Sequence, residues 1–349
     1  MYYVIRLFKK KVYKQKQGYG KKDGNCIFFK TDKFTLKKSF HLNFKIDNNK
    51  NYNAVDEFSS EMYYPSVAQF ALLKYIDKDG GEDSSILIIN THLVFNKNTG
   101  HLKLAMITLI IKTILRLTQI YKINDIFFCG DFNSIPNSLL YDLLSKGKID
   151  LSRDLREYSN QHLLMEQRKG GDLDYLVRLS DRKFNYNTEK NYKTISLNFL
   201  SILYHINIII PKMNDSEIKL HKPKNYQPVD KVFLTSFFHS ISSVISFKSA
   251  YAEFNRKFYK KYKSSPVLGQ LLYLFDQEKN NNDAYITQFS QDMVNTVDYI
   301  WFGSNGKFKL KRILQMPDVN YLKNLETPCP TQHFGSDHFS LVVDFYKKD

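Results

Sequence analysis

The sequence predicts an α/β layered fold, and three stretches carry that expectation. Residues 86–90 form a short apolar run that ends in the polar Asn90-Thr91-His92. Residues 102–121 repeat apolar side chains at helical spacing, with Lys103, Lys112 and Arg116 between them. Residues 126–129 form a second apolar run, stopped by Gly130 and followed by Asp131-Phe132-Asn133-Ser134-Ile135-Pro136. Short apolar runs bounded by Gly and Pro read as buried strands rather than helices. A helix between two such strands makes a crossover unit, from which layered α/β cores are built.

Ahead of that unit, the turn-rich residues 19–24 lead into 25–30, which read as a strand. Residues 33–36 alternate polar and apolar and read as the hairpin partner of that strand. The polar, Asn-rich residues 47–52 form a loop, and 66–75 give a further strand, separated from 86–90 by a turn at 77–83. After the crossover unit, 138–145 read as a helix with Asn137 as its N-cap. From about 150 to 290 the texture changes to mixed charge and Asn-rich pieces, without an internal repeat. Apolar runs at 195–210, 232–238 and 267–275 fit either helix or strand. This stretch reads as an enlarged insertion between two halves of a core. Order returns with a strand at 296–302 that carries Asp298, and 334–345 place Asp337-His338 ahead of a closing strand.

Composition narrows the class of function. The chain has 349 residues, 43% hydrophobic and 15% aromatic, which supports a sizeable core and excludes wholesale disorder. The net charge of +16 favours a polyanionic partner, nucleic acid first. Lys, Asn, Tyr, Ile and Phe are abundant together, which drift of the coding sequence towards A and T also produces. The charge therefore permits an RNA partner without diagnosing one. Cys26, Cys129 and Cys329 are too far apart for a metal or redox motif and read as buried thiols of a reducing compartment. Residues 1–16 lack the apolar stretch of a signal peptide, and 195–210 are too short and polar for a membrane span. The expectation is a soluble protein of the cytoplasm or nucleus.

Polar residues gather at the ends of the apolar runs. Asp131 and Asn133 alternate about Phe132, so an extended chain points both to one side. A carboxylate there can polarise a water and an amide can hold a phosphoryl oxygen, a pairing suited to phosphate esters. Each residue also has a plainer reading. Asp131 and Asn133 are common turn formers after a strand. His92 alone reads as a structural histidine, and Asp337-His338 as a polar loop. Asp298 is different, because a charge inside a buried strand needs a partner. The plain readings weaken when Asp131, Asn133, Asp298 and His338 must all be explained together.

These residues lie in stretches that resemble the endonuclease/exonuclease/phosphatase superfamily, in its deadenylase-like branch with the Angel proteins and nocturnin. The stretches are 22–30 (Lys-Asp-Gly-Asn-Cys-Ile-Phe-Phe-Lys), 90–96 (Asn-Thr-His-Leu-Val-Phe-Asn), 100–105 (Gly-His-Leu-Lys-Leu-Ala), 129–136 (Cys-Gly-Asp-Phe-Asn-Ser-Ile-Pro), 296–301 (Thr-Val-Asp-Tyr-Ile-Trp) and 336–338 (Ser-Asp-His). The resemblance implies two packed β-sheets flanked by helices, a four-layer α/β sandwich. It implies one catalytic domain over 1–349 with 150–290 as a lineage-specific insertion. It also implies Mg²⁺, or Mn²⁺ in its place, and attack of water on a phosphate ester. Carried over by motif, Asp131 orients the water and Asn133 holds the phosphate. His338 donates to a phosphoryl oxygen and Asp298 orients His338. His92 contacts the phosphate, Asp337 lies at the metal, and Asn90 and Met293 are on the substrate side.

The chain also departs from the family pattern. Relatives carry a metal-binding Glu in a Leu-Gln-Glu motif upstream, whereas residues 1–22 hold no Asp or Glu, so the domain is expected to be incomplete at its amino end. Lys97 stands where the branch usually has Pro, and Met293 stands near a position that carries an aromatic in the poly(A) nucleases, which weakens base stacking. The expected function is a Mg²⁺-dependent 3′-5′ exoribonuclease of poly(A)-deadenylase type, acting on RNA at mRNA 3′ ends. The alternatives are an RNA 2′,3′-cyclic phosphate phosphatase and an RNA-binding pseudoenzyme that lacks the metal ligand.

Overall fold

The computed structural model describes residues 10–16, 24–44, 66–76, 85–95, 100–136, 138–147, 217–218, 246–262, 282–290, 294–317, 321–322, 324–325 and 327–347. The loop at 47–52, Lys97, Asn137, Met293 and the apolar runs at 195–210, 232–238 and 267–275 lie outside these residues.

In chain order the elements are β1 (Lys10–Lys16), β2 (Gly24–Lys30), β3 (Phe34–Asn43), β4 (Val67–Tyr75), β5 (Ser85–His92), α1 (Gly100–Tyr121), β6 (Asp125–Asp131) and α2 (Leu139–Lys146). They continue with β7 (Glu217–Ile218), β8 (Phe247–Ser249), α3 (Ala250–Tyr262), β9 (Gln288–Phe289), β10 (Val294–Asn295), β11 (Asp298–Gly303), β12 (Phe308–Ile313) and β13 (Val343–Lys347). Seven strands form one mixed sheet in the order β7-β3-β4-β5-β6-β11-β8. At its centre β5 and β6 run parallel, joined through α1, and β11 lies antiparallel on the far side of β6. This is the α/β architecture expected from the crossover unit.

The apolar runs are nearly continuous because β5 and β6 are covered on both faces. Along β5, Leu87 and Ile89 join a core with Ile107, Ile110, Ile114 and Leu117 of α1. Their neighbours Ile86 and Ile88 point the other way and pack with Ile27 and Phe29 of β2. The β1–β2 and β12–β13 pairs are separate two-stranded sheets. The rings of Phe308 and Phe345 meet Phe127 of β6 edge-on, so β12–β13 stacks on the same face of the central sheet as β2. The layers are therefore helices, a seven-stranded sheet and smaller sheets.

Three local expectations change. Residues 33–36 are not the hairpin partner of 25–30: β2 pairs with β1, while β3 pairs with β4. Alternation marks a half-buried strand but not its neighbour, and the turn after Lys30 passes from one layer to the next. Amides hold those layers together, with Asn25 Nδ2 donating to Val67 O at 2.9 Å and Asn90 Nδ2 to Cys26 O at 3.1 Å. The N-cap of α2 is Ser138, whose backbone is extended and whose Oγ accepts from Tyr141 N at 3.2 Å. The closing strand starts only at Val343, because Phe339 N is taken by Thr287 O and Val342 O by Leu314 N. Of the cysteines, Cys26 and Cys329 are buried and Cys129 half-buried, all as free thiols. Among the described residues no helix is long and apolar enough to cross a membrane.

Candidate active site

Asp131 is the last residue of β6, and sheet register places two further functional side chains beside it. His92 is opposite it on β5 and Asp298 opposite it on β11. Gly130 makes this close approach feasible. Its φ is +139°, and a Cβ there would lie 1.9 Å from Thr91 O, so only glycine fits. Beyond the strand, Leu93 N donates to Asp131 O and Phe132 N to Val297 O, which continues the ladder around the carboxylate.

Asn133 adopts a left-handed conformation with φ 46°. Its N–H donates to Asp131 Oδ1 at 2.7 Å and its side-chain amide to Leu93 O at 2.9 Å, so carboxylate and amide form one rigid turn. Lys103 of α1 supports the turn from below, donating from Nζ to Asn133 O at 2.7 Å. Lys103 is fully buried, and burial drags its pKa down to about 7 even though the charge of Asp131 works the other way. On the outer side, His92 Nε2 stands 3.5 Å from Asp131 Oδ2, and the His92 side chain is 25% exposed, so this flank opens to solvent.

His338 arrives from the far end of the chain. Its N–H donates to Ser336 Oγ, it bridges to Gln288 of β9, and Phe339 N donates to Thr287 O. Thr287 Oγ1 in turn accepts from Val297 N and Asp298 N, which fixes the start of β11 against the same segment. The result is a contact of 2.7 Å between His338 Nδ1 and Asp298 Oδ2. Burial disfavours the protonated ring, but the charge and hydrogen bond of Asp298, with the charges of Asp131 and Asp337, outweigh it and push the His338 pKa up to about 9. The imidazole is therefore a cation at neutral pH.

The ligand atoms of Asp131, Asp298 and His338 all lie within 4.8 Å of one another. Asp298 Oδ1 is buried with no hydrogen-bond partner. A divalent cation that takes carboxylate oxygens and keeps several waters fits such a group. His338 Nδ1 is already engaged with Asp298, so the donors it offers are oxygens. Asp337 is half-buried, lies outside that three-residue group, and acts on His338 through its charge.

The structure thus brings His92, Asp131, Asn133, Asp298 and His338 to one end of the central sheet, with Asp337 adjoining. Asn90 is deeper, 1% exposed, with its amide tied to Cys26 O and its Oδ1 unpartnered between the layers. Sequence reasoning missed Lys103 and Thr287 as parts of this site. A lysine at helical spacing reads as a solvated face, and nothing local marks a threonine as a clamp.

No family model matches the chain. The chain is 23% identical over 326 residues to carbon catabolite repressor protein 4 homolog 3 of Arabidopsis thaliana, covering 93% of this chain and 56% of that protein. It is 30% identical over 139 residues to the CCR4-Not complex 3′-5′-exoribonuclease subunit Ccr4 of Candida albicans, covering 36% of this chain and 17% of that protein. Among solved structures, ANGEL2, a 2′,3′-cyclic phosphatase, in complex with adenosine-2′,3′-vanadate has the same fold, with a TM-score of 0.53 and 19% identity. That match covers 96% of this chain and 74% of the other. The chain spans about half the length of the Arabidopsis relative and a much smaller part of the Candida one.

Proposed function

We propose that the chain is a deadenylase-like member of the endonuclease/exonuclease/phosphatase superfamily, and that it works as a Mg²⁺-dependent 3′-5′ exoribonuclease of poly(A)-deadenylase type. The observation that carries the reading is the 2.7 Å contact of His338 with Asp298, held within 4.8 Å of Asp131. Few structural needs bring a buried cation and two buried carboxylates together, whereas hydrolysis of a phosphodiester uses each of them.

In this reading Asp131 takes the proton of a water as its oxygen bonds to phosphorus and the P–O3′ bond breaks, the departing O3′ taking up a proton from solvent to leave as a 3′-hydroxyl. The amide of Asn133, oriented by Leu93 O, donates to a phosphoryl oxygen. His338 donates a second hydrogen bond where negative charge builds, and Asp298 keeps the ring oriented and protonated. His92, on the exposed flank, contacts the phosphate, while Asn90 backs the substrate wall. Charge neutralisation at the phosphoryl oxygens is the chemistry Mg²⁺, or Mn²⁺ in its place, would supply if held by carboxylate oxygens of Asp131 and Asp298, with Asp337 near its waters. The domain is taken as 1–349 with 150–290 inserted, working in the cytoplasm or nucleus on mRNA 3′ ends.

Asp131→Ala and His338→Ala are each expected to lower turnover of a 3′-tailed RNA by about 10²-fold or more, with RNA binding retained. Near-wild-type turnover in either variant would sink the assignment. The fold shared with ANGEL2 makes a 2′,3′-cyclic phosphate end the second substrate to assay. A tail shortened stepwise supports the exoribonuclease, and a cyclic end opened without change of length supports the phosphatase. RNA bound with neither reaction leaves a binding module.

A further inference from the structure

At the opposite end of the central sheet, β8, α3 and β12 meet. Lys248 of β8 is opposite Phe302 on β11, four residues beyond Asp298 and roughly 13 Å along the strand from it. α3 follows β8 directly, and Tyr251 Oη donates to Leu314 O just past β12, which seats the helix beside that strand. Along α3, Arg256, Lys257 and Lys260 recur at helical spacing and are all exposed. Lys309 is on β12, and the exposed Lys307 lies in the bend just before that strand.

Residues 246–262 and 303–317 hold nine Lys and Arg but one acid, Glu253, in a chain with 51 basic and 35 acidic residues. Drift towards A and T raises lysine everywhere, but the acids that reach this region are few: besides Glu253, Asp344 of β13 pairs with Arg312 and Asp125 Oδ1 accepts from Phe308 N. Glu253 pairs with Arg256 and with Lys257, which offsets part of the charge. Burial together with the charges of Arg256, Lys257 and Lys309 lowers the Lys248 pKa, so these cations lie near one another even with Glu253 shared between two of them. Like charges held this close are unfavourable unless an anion joins them. Aromatic rings accompany them, with Phe254 and Phe258 of α3 stacked at 6.1 Å between centroids.

We propose that Lys248, Arg256, Lys257, Lys260, Lys307 and Lys309 form a second RNA-binding surface, remote from the reacting phosphate, that holds the sugar-phosphate backbone of a long single strand. The proposal rests on the reading of the chain as an RNA hydrolase. Lysines suit the task because they meet phosphates as point charges with no base preference. A strand reaching from this surface to the catalytic end of the sheet would be held at both ends.

The test compares the full chain with a variant carrying K248Q, K257Q, K260Q and K309Q, whose melting temperature is checked first. Binding of a labelled oligoadenylate longer than about 16 nucleotides, the upper site size of one single-strand-binding fold, is measured across a salt series. Each lost phosphate contact lowers the slope of log affinity against log salt by about 0.7, so the variant's slope is expected to fall by about 2 to 3. KM for the long RNA should rise, and kcat/KM for a dinucleotide should stay within about twofold, since a dinucleotide cannot reach the surface. An unchanged slope overturns the proposal. Loss of binding to phosphatidylserine vesicles with RNA binding intact also overturns it, in favour of a membrane surface. A wild type that binds with the steep slope and hydrolyses neither RNA end upholds the surface and overturns the hydrolase reading instead.

Discussion

His338 keeps its proton because Asp298 stands 2.7 Å from Nδ1 and other carboxylates lie near, which raises its pKa from the ordinary 6.5 to about 9. A histidine whose folded pKa is raised contributes stability that is complete below the unfolded value and is lost as pH rises through the folded one. The same proton is the one used against the phosphoryl group, so kcat should hold through neutral pH and fall as pH passes about 9. Asp298→Asn removes the main stabilising charge, so that falling limb should move down towards the ordinary histidine range. Measured pH–rate profiles decide it: a limb that stays in place means another group sets it. Lys103 poses a related question. It is a fully buried lysine in the first turn of a helix with no acid there, so its protonated form is opposed by both desolvation and the helix dipole. Lys103→Met relieves the buried charge but leaves Asn133 O without that donor, effects that oppose each other at about 1–3 kcal/mol. The melting temperature should therefore move little, while kcat falls by about 10-fold or more as the Asn133 turn loosens. A large loss of stability with normal kcat in the remaining folded protein would make Lys103 merely structural. Residue-scale chemistry was only partly legible in the sequence. Asp131 and Asn133 could be read locally, whereas the pairing of Asp298 with His338 joins residues forty positions apart and needed the family resemblance.

Elements were easier to read where a single strong pattern fixed both their type and their surroundings. The strands β5 and β6 and the helix α1 were legible because continuous apolar runs and helical spacing leave few alternatives. β2 and β3 were legible as strands but not as neighbours, since pairing depends on Asn25 and Asn90 linking layers through backbone carbonyls. The end of β6 at Gly130 and the start of α2 at Ser138 can be separated by experiment. Gly130→Ala drives a methyl to within 1.9 Å of Thr91 O at a backbone angle alanine resists, so about 3 kcal/mol or more of stability should be lost together with activity. Ser138→Ala removes the hydroxyl that accepts from Tyr141 N, which should cost about 1 kcal/mol and leave turnover unchanged. Urea unfolding of both variants tests the pair. If Gly130→Ala were as mild as Ser138→Ala, the strand end would be relaxing away from Thr91, and the tight approach inferred there would be wrong.

Across the whole molecule, composition permitted a polyanionic partner but did not show where the charge lies. The cations at 246–262 and 303–317 are distant in sequence, and only the pairing of β8 with β11 and the seat of α3 beside β12 bring them together. The net charge has a consequence of its own. At +16 the folded chain repels itself, and compaction brings the charges closer than they are in the unfolded state. Screening weakens that repulsion, because the Debye length shrinks from about 30 Å at 0.01 M salt to about 8 Å at 0.15 M. Salt also weakens the favourable ion pairs, such as Arg312 with Asp344, but exposed pairs contribute only about 0–1 kcal/mol each. Long-range repulsion should win, so the melting temperature should rise between those salt concentrations, by roughly 2–4 °C for each 1 kcal/mol gained. Sodium chloride is the salt to use, since sulfate would also strengthen apolar burial and confuse the cause. A melting temperature that falls with added chloride would mean that local ion pairs outweigh the net charge. The surface at β8, α3 and β12 would then have its carboxylate partners close at hand, which would weaken its assignment to RNA as well.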